Sequence, residues 1–344
     1  MNGMSSALHE FVLGGLAAAL PESRLDNETL SARLGMDPAE IERRTGIRSR
    51  CVAGPGDTAS SLGARAAHRA LERAGLAPAD VELLVLSTYT PDHPLCPTAP
   101  AIAHAVGAVR AGAFDVNAAC SGGVTALLAA SAMLGRPFGN ALVVTADLTT
   151  RFVRPDDRST AMVFGDGATA TVLLPSGARG ARPWRVLACE LGADGAGAAL
   201  FRVPDGGSAR RPVNGHPREP DLAVRMDGRA VFRFAVERGA RLVGELCDRA
   251  GLEPEQVDLV VPHQANERIT RALAERTGIP ASRWFSNIAD RGNTASSSVP
   301  LALSELLAAG RIEPGARILL VAFGAGLTWA GLAVEAGDVA GLVR

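Results

Sequence analysis

Apolar positions along this chain follow two rhythms that alternate. Segments such as GARAAHRALERA (63–74) and GARLVGELCDRA (239–250) carry Ala, Leu and Val at helical spacing. Each is followed by a short unbroken apolar run, LLVL (83–86) or LVVP (259–262). Helical spacing predicts amphipathic helices, and short continuous apolar runs predict strands covered on both faces. Pro78 and Pro254 fall between the two, where a helix must have ended. The run Phe11 to Leu20 predicts a further buried strand. At about ten residues it is too short to cross a bilayer, and no basic segment of the secretion-signal kind precedes it.

The helix–strand units repeat at one offset. Residues 63–86 and 239–262 align 176 residues apart with 11 identities in 24 positions. The same offset lays Asn117–Ser121 over Asn293–Ser297 and Leu142–Ala146 over Ile318–Ala322. A chance recurrence of one helix-stop pattern would not hold its spacing through three segments. The repeat predicts a duplicated α/β unit, with halves 1–177 and 178–344 and mostly parallel sheets covered by helices.

The halves differ where chemistry is concerned. Cys120 in the first half lies opposite Ser296 in the second, and His263 in the second lies opposite Ser87 in the first. One copy keeps a thiol, the other an imidazole. AFDVNAACSGGVTALLAASAML reads as a strand, a sharp turn and a long helix, with Cys120 at the turn. A helix start favours negative charge and is expected to lower a thiol pKa there. Ser121, Gly122 and Gly123 leave room for backbone amides to approach an acyl carbonyl. A structural cysteine at a tight helix start fits this segment equally well. His263 ends an apolar strand, a common catalytic position in α/β proteins. Asn266 and Asn293 each precede a predicted helix and can cap it, while an amide such as that of Asn293 can also donate to developing negative charge.

Composition narrows the choices. Apolar residues are 47% of the 344 and aromatics only 4%, so the core must be built from Ala, Val and Leu. The net charge is −1 with no basic stripe, which argues against nucleic acid as a partner. All 35 basic residues are arginine, and the missing lysine excludes Schiff-base chemistry and a P-loop. The five cysteines, Cys51, Cys96, Cys120, Cys189 and Cys247, are odd in number and never in CxxC pairs. This excludes a disulfide framework or zinc knuckle and fits a reducing cytoplasm. Cys51 falls in a polar segment, and no histidine spacing suggests a metal site.

Seven ordered segments together resemble the ketoacyl-acyl-carrier-protein synthase III family of the thiolase superfamily: RRTGIRSR (43–50), DVNAACSGG (115–123), VFGDGATATVLL (163–174), VRMDGRAVFRFAV (224–236), VPHQANERI (261–269), GNTASSS (292–298) and FGAGLTWAG (323–331). The resemblance implies an α/β thiolase fold, five-layered αβαβα, and a homodimer. It implies a catalytic triad of Cys120, His263 and Asn293, with the amides of Cys120 and Gly324 as the oxyanion site. Arg44, Arg158, Leu95, Cys96, Asn266 and Phe323 become substrate-binding candidates. The substrates it implies are acyl and malonyl thioesters of coenzyme A or acyl-carrier protein, with no metal, no organic cofactor and no membrane. In the family the cysteine takes an acyl group, and a malonyl thioester then loses CO2 and attacks it. A relative that moves the acyl group from Cys120 to a hydroxyl, an amine or a second carrier protein, without decarboxylation, would use the same triad.

The chain departs from the family in two places. Where members place a tryptophan that stacks on adenine, this chain has Glu40, though the second stacking group is kept as Arg158. Coenzyme A thioesters are therefore expected to be poorer donors than carrier-bound acyl groups. In the loop 90–100, which shapes the primer pocket across the family's dimer, Leu95 and Cys96 replace a phenylalanine, which implies room for a primer larger than acetyl. The Arg/Pro/Gly-rich segment 206–220, with Arg210, Arg211 and Arg218, is expected to be an exposed loop.

Overall fold

The duplicated rhythm reappears in the path of the backbone. A computed structural model of the protein describes residues 8–208 and 221–338. Most of the 206–220 segment, including Arg210, Arg211 and Arg218, lies outside the described residues. The predicted helices form as Ala59–Ala74 and Gly228–Ala250. Each passes through a short turn beginning at Pro78 or Pro254 into a strand, Leu83–Ser87 or Leu259–Pro262. The offset holds even in fine detail. Ala119 and Ala295, which are 176 residues apart, both adopt left-handed φ, 47° and 54°. Each opens a single tight turn that leads into a helix, Gly122–Met133 or Ser298–Ala308.

Nine strands share one hydrogen-bonded order. From the C-terminal half it runs Leu259–Pro262, Arg317–Gly324, Thr328–Glu335 and Trp184–Ala193. It continues through His9–Ala19, Gly167–Pro175, Ala141–Asp147, Leu83–Ser87 and the edge strand Gly112–Val116. The halves meet where His9–Phe11 pairs with Trp184–Val186, only three residue pairs long. The expectation of mostly parallel sheets is corrected here. Parallel pairing is confined to the neighbours of Leu83–Ser87 and to Leu259–Pro262 beside Arg317–Gly324, and the other five pairs described in this sheet are antiparallel. Strands covered on both faces show no alternation of polarity, so the apolar runs carried no mark of strand direction. The antiparallel turn at 325–327 reverses the chain within three residues.

Packing divides the molecule into five layers. Helices Ala59–Ala74 and Ala99–Val106 cover the outer face of the N-terminal strands. Helices Gly228–Ala250 and Glu267–Thr277 cover the outer face of the C-terminal strands. Between the sheets lie Gly122–Met133 and Ser298–Ala308, in a core that draws residues from both halves. Ser298–Ala308 buries nine of its eleven residues, so it has no polar stripe, as a helix enclosed on all sides must not. The core is mostly Ala, Val and Leu, as the composition required, with a few large side chains such as Trp184 and Phe164. Each fully buried Leu or Val contributes on the order of 1.5–3 kcal/mol. Phe11 lies in the strand His9–Ala19, as its apolar run predicted. Cys51, read as polar surroundings, is instead fully buried in the strand Ser49–Cys51. Among the described residues, no helix is long and apolar enough to cross a membrane.

Candidate active site

Layering brings three strand ends together. Gly112–Val116 runs into Asn117 and the turn that carries Cys120. Leu259–Pro262 delivers His263, and Arg317–Gly324 delivers Phe323 and Gly324. Asn293 arrives from the second half at the position matching Asn117. Cys120, His263, Asn293, Phe323 and Gly324 all line one cleft of about 1030 Å³. The thiol comes from one half and the imidazole and amide from the other, as the mismatch between the copies suggested.

Asn293 lines the cleft, and its side chain braces its own turn without capping the helix Ser298–Ala308. Its Oδ1 accepts from the Ala295 amide at 2.9 Å, just as Asn117 Oδ1 accepts from the Ala119 amide at 3.2 Å. With the oxygen so engaged, Nδ2 is the donor that Asn293 offers to the cleft. Its backbone is fixed as well. Asn293 N donates to Val163 O, and Gly165 N donates to Asn293 O, both at 2.9 Å.

His263 is 2% exposed, and its amide donates to Val321 O at 2.7 Å. The Phe323 ring meets it edge-on, with centroids 5.6 Å apart at 76°. Burial pushes its pKa down to about 3, so the imidazole is neutral. A neutral ring has one N–H to donate and one lone pair to accept. Nδ1 lies 2.7 Å from Ser298 Oγ.

Cys120 is 3% exposed. Burial pushes its thiol up to about 12, and the Asp147 carboxylate pushes in the same direction. The sequence reading expects the helix start to lower this pKa, and desolvation reverses that expectation. At rest the site therefore holds a thiol and a neutral imidazole, with no ion pair between them. Asp147 is itself buried, which raises its carboxyl to about 6 against hydrogen bonds from Ser296, Tyr89 and Thr88. Ser296 occupies the position that matches Cys120. In that copy the side chain is bound to a carboxylate instead of facing the cleft.

The turn after Arg317–Gly324 presses on Cys120. A Cβ on Gly324 would lie 2.7 Å from the Cys120 amide nitrogen and 3.1 Å from its Cβ, so only glycine fits against it. Ser121 and Thr328 tie the two turns together. Thr328 Oγ1 is 3.0 Å from Ser121 Oγ and 2.9 Å from Ala118 O.

The remaining candidates separate into two groups. Arg44, Arg158 and Asn266 line the cleft. Arg158 is braced by donating to Leu34 O at 2.7 Å and Gly35 O at 3.1 Å. Asn266 caps the helix Glu267–Thr277 through Arg268 N at 2.9 Å, and its Nδ2 donates to Arg44 O at 3.0 Å. Leu95 and Cys96 do not reach the cleft of their own chain, and Leu95 is 85% exposed. Sequence reasoning missed Arg229, Phe232 and Arg233, which also line the cleft. They are spaced three or four apart or adjacent in the helix Gly228–Ala250, and that spacing alone could have placed them on neighbouring faces. Ser298 was missed as well, hidden in a run of three serines.

Two stacked copies of one α/β unit, here with Cys120 at the start of a central helix, define the thiolase fold. Comparison with known proteins gives the narrower assignment. Residues 114–195 match the model for 3-oxoacyl-[acyl-carrier-protein] synthase III, and residues 247–336 match the model for that enzyme's C-terminal part. A β-ketoacyl-[acyl-carrier-protein] synthase III from Roseiflexus sp. is 43% identical over 93% of this chain and 97% of its own. The crystal structure of 3-oxoacyl-(acyl carrier protein) synthase III from Pseudomonas aeruginosa matches with a TM-score of 0.85 and 38% identity, covering 95% of this chain and 98% of that one. The priming β-ketosynthase of the R1128 polyketide pathway matches with a TM-score of 0.82 and 36% identity, covering 96% and 97%. The chain belongs to the 3-oxoacyl-[acyl-carrier-protein] synthase III family, and so to the acyltransferases built on this fold.

Proposed function

We propose that this protein is a condensing enzyme that primes fatty-acid or polyketide synthesis in the cytoplasm. The observation that carries the reading is the meeting of the Cys120 thiol, the neutral His263 ring and the Asn293 amide in one cleft. Cys120 Sγ attacks the carbonyl of an acyl thioester, and the donor thiol leaves with the thiol proton. The Cys120 and Gly324 amides face the oxygen that becomes negative. A malonyl thioester then follows. Its bond to the carboxylate breaks, CO2 leaves, and the electron pair becomes an enolate whose oxygen accepts from His263 and Asn293. Neutral donors suit this step, because they hold charge that exists only during the reaction. The enolate carbon forms a C–C bond to the acyl carbonyl, the bond to Cys120 Sγ breaks, and the departing thiolate takes a proton from solvent to restore the thiol.

The reading is tested with purified protein, labelled malonyl-carrier protein and a panel of acyl donors, following CO2 and intact mass together. Donor-dependent CO2 release with a β-ketoacyl product supports it. An acyl mass on Cys120 with neither CO2 nor β-ketoacyl product would overturn it in favour of transfer to another acceptor.

Charge along the cleft bears on the donor. Arg44, Arg158, Arg229, Arg233 and Arg268 line it, against Asp227, whose side chain caps the helix Gly228–Ala250. Such a surface suits the phosphate of a pantetheine arm and an acidic carrier protein. Glu40 forms an i,i+4 ion pair with Arg44 at the place of the family's adenine platform. A carrier-bound acyl group is accordingly the preferred donor. Glu40→Trp is expected to lower KM for acyl-coenzyme A roughly tenfold, since base stacking on an aromatic ring is worth about 1–3 kcal/mol. KM for the acyl-carrier protein should stay unchanged, and steady-state kinetics on both donors checks this.

The open edge of the sheet bears on assembly. Gly112–Val116 pairs only with Leu83–Ser87 among the described strands, and it exposes Phe114 by 37%. Asp115 accepts from Thr98 N and Ala99 N, both at 2.7 Å, which anchors the Leu95 loop to this same edge. An unpaired apolar edge is a template for a second copy. A homodimer pairing there would bring Leu95 and Cys96 to the partner's acyl pocket. A two-fold axis through the strand's midpoint would also set Phe114 against its own copy. Phe114→Asp is therefore expected to convert dimer to monomer in sedimentation velocity at micromolar concentration. A variant that remained dimeric would place the interface elsewhere.

A further inference from the structure

The Nδ1 atom of His263 meets one buried hydroxyl, that of Ser298, at 2.7 Å. Ser298 is the first residue of the central helix Ser298–Ala308 and is 1% exposed. It ends a run of three serines whose hydroxyls each have a separate partner. Ser296 Oγ donates to Asp147 Oδ2 at 2.5 Å, and Ser297 Oγ donates to Gly167 O at 3.0 Å. For Ser298 Oγ, His263 Nδ1 at 2.7 Å is the one hydrogen-bond partner among the described residues. A buried hydroxyl left without an acceptor is strongly disfavoured, so its proton points at Nδ1. Nδ1 then carries the lone pair, and the imidazole proton is on Nε2.

The other copy shows what the pair replaced. At the 176-residue offset, His263 corresponds to Ser87 and Ser298 to Gly122. There a Cβ on Gly122 would lie 2.2 Å from Ser87 Oγ, so no side chain fits. Ser87 Oγ is buried and has no hydrogen-bond partner among the described residues. One copy thus has a contact between the helix start and the strand end, while its twin has only the space between them closed.

We infer that Ser298 is a positioning residue that holds His263 in the Nε2–H form, making the ring a hydrogen-bond donor to the enolate and leaving its one lone pair, on Nδ1, engaged by Ser298. The inference rests on the condensation reading for its catalytic consequence, though not for the tautomer itself. It also assigns Ser298 to the second half-reaction alone, because loading of Cys120 needs no donor at His263.

The test combines 15N NMR of the ligand-free protein, labelled at histidine, with kinetics of the two half-reactions. The expected result is a proton on His263 Nε2 in the native protein and a mixture of tautomers in Ser298→Ala. In that variant, acyl loading of Cys120 should persist while β-ketoacyl formation falls about 10- to 100-fold, the scale expected when one buried hydrogen bond is lost. Ser298→Thr, which keeps the hydroxyl, should restore both the spectrum and the rate. A native protein with the proton on Nδ1 would overturn the inference, as would Ser298→Ala with unchanged tautomer and condensation. The ring spectrum needs no substrate. A native protein that made no β-ketoacyl product would therefore count against the condensation reading alone.

Discussion

Cys120→Ala is expected to abolish both the covalent acyl adduct and the β-ketoacyl product, a loss of at least about 10⁴-fold, the scale on which enzymes lose rate when their nucleophile is removed. No other cysteine can take its place. Cys51 is fully buried in another strand and Cys247 is buried on an outer helix. Cys189 lies in the strand Trp184–Ala193 and Cys96 in the exposed loop 90–100. None of these four lines the cleft. Cys120→Ser is expected to lose nearly as much. A thiol pushed up to about 12 by burial already resists deprotonation, and a hydroxyl in the same dry position resists it further. Intact-mass analysis after incubation with an acyl donor measures the adduct directly. An acyl mass on Cys120→Ala would move the nucleophile elsewhere.

Gly324→Ala is expected to lower the rate of acyl loading by about 10²–10³-fold, the loss that follows removal of one oxyanion donor. The methyl group would stand 2.7 Å from the Cys120 nitrogen and 3.2 Å from its Cα. These are backbone atoms, so no change of rotamer relieves the clash. One turn must move, and both amides then leave the position where the oxyanion forms. The fold itself should survive, since the strand Arg317–Gly324 keeps its pairing on both sides. A normal circular-dichroism spectrum with slow acylation supports this, and acylation within about threefold of the native rate would remove Gly324 from the oxyanion site.

The duplication and the meeting of Cys120 with His263 in one cleft were legible in the sequence for a common reason. A repeat leaves its offset in the chain, and a difference between copies stands out against that offset. Cys120 against Ser296 and His263 against Ser87 are such differences. Asn293 was less distinct because its counterpart is also an asparagine, and both cap the turn that follows. The chemical use of the second amide group depends on where the cleft lies.

Short-range properties were thus settled by sequence: which segments are helix or strand, where helices stop, and which residue types each copy retains. Tertiary structure decided whatever depends on neighbours distant along the chain. It set the strand directions, because strands enclosed on both faces show no polarity pattern. It raised the Cys120 thiol, because desolvation by both halves outweighs the local helix start. It also placed Ser298 on His263, 35 residues away, where neither residue's own segment indicates the contact. Protonation and tautomer follow from burial and from contacts across the fold, and a linear sequence contains neither.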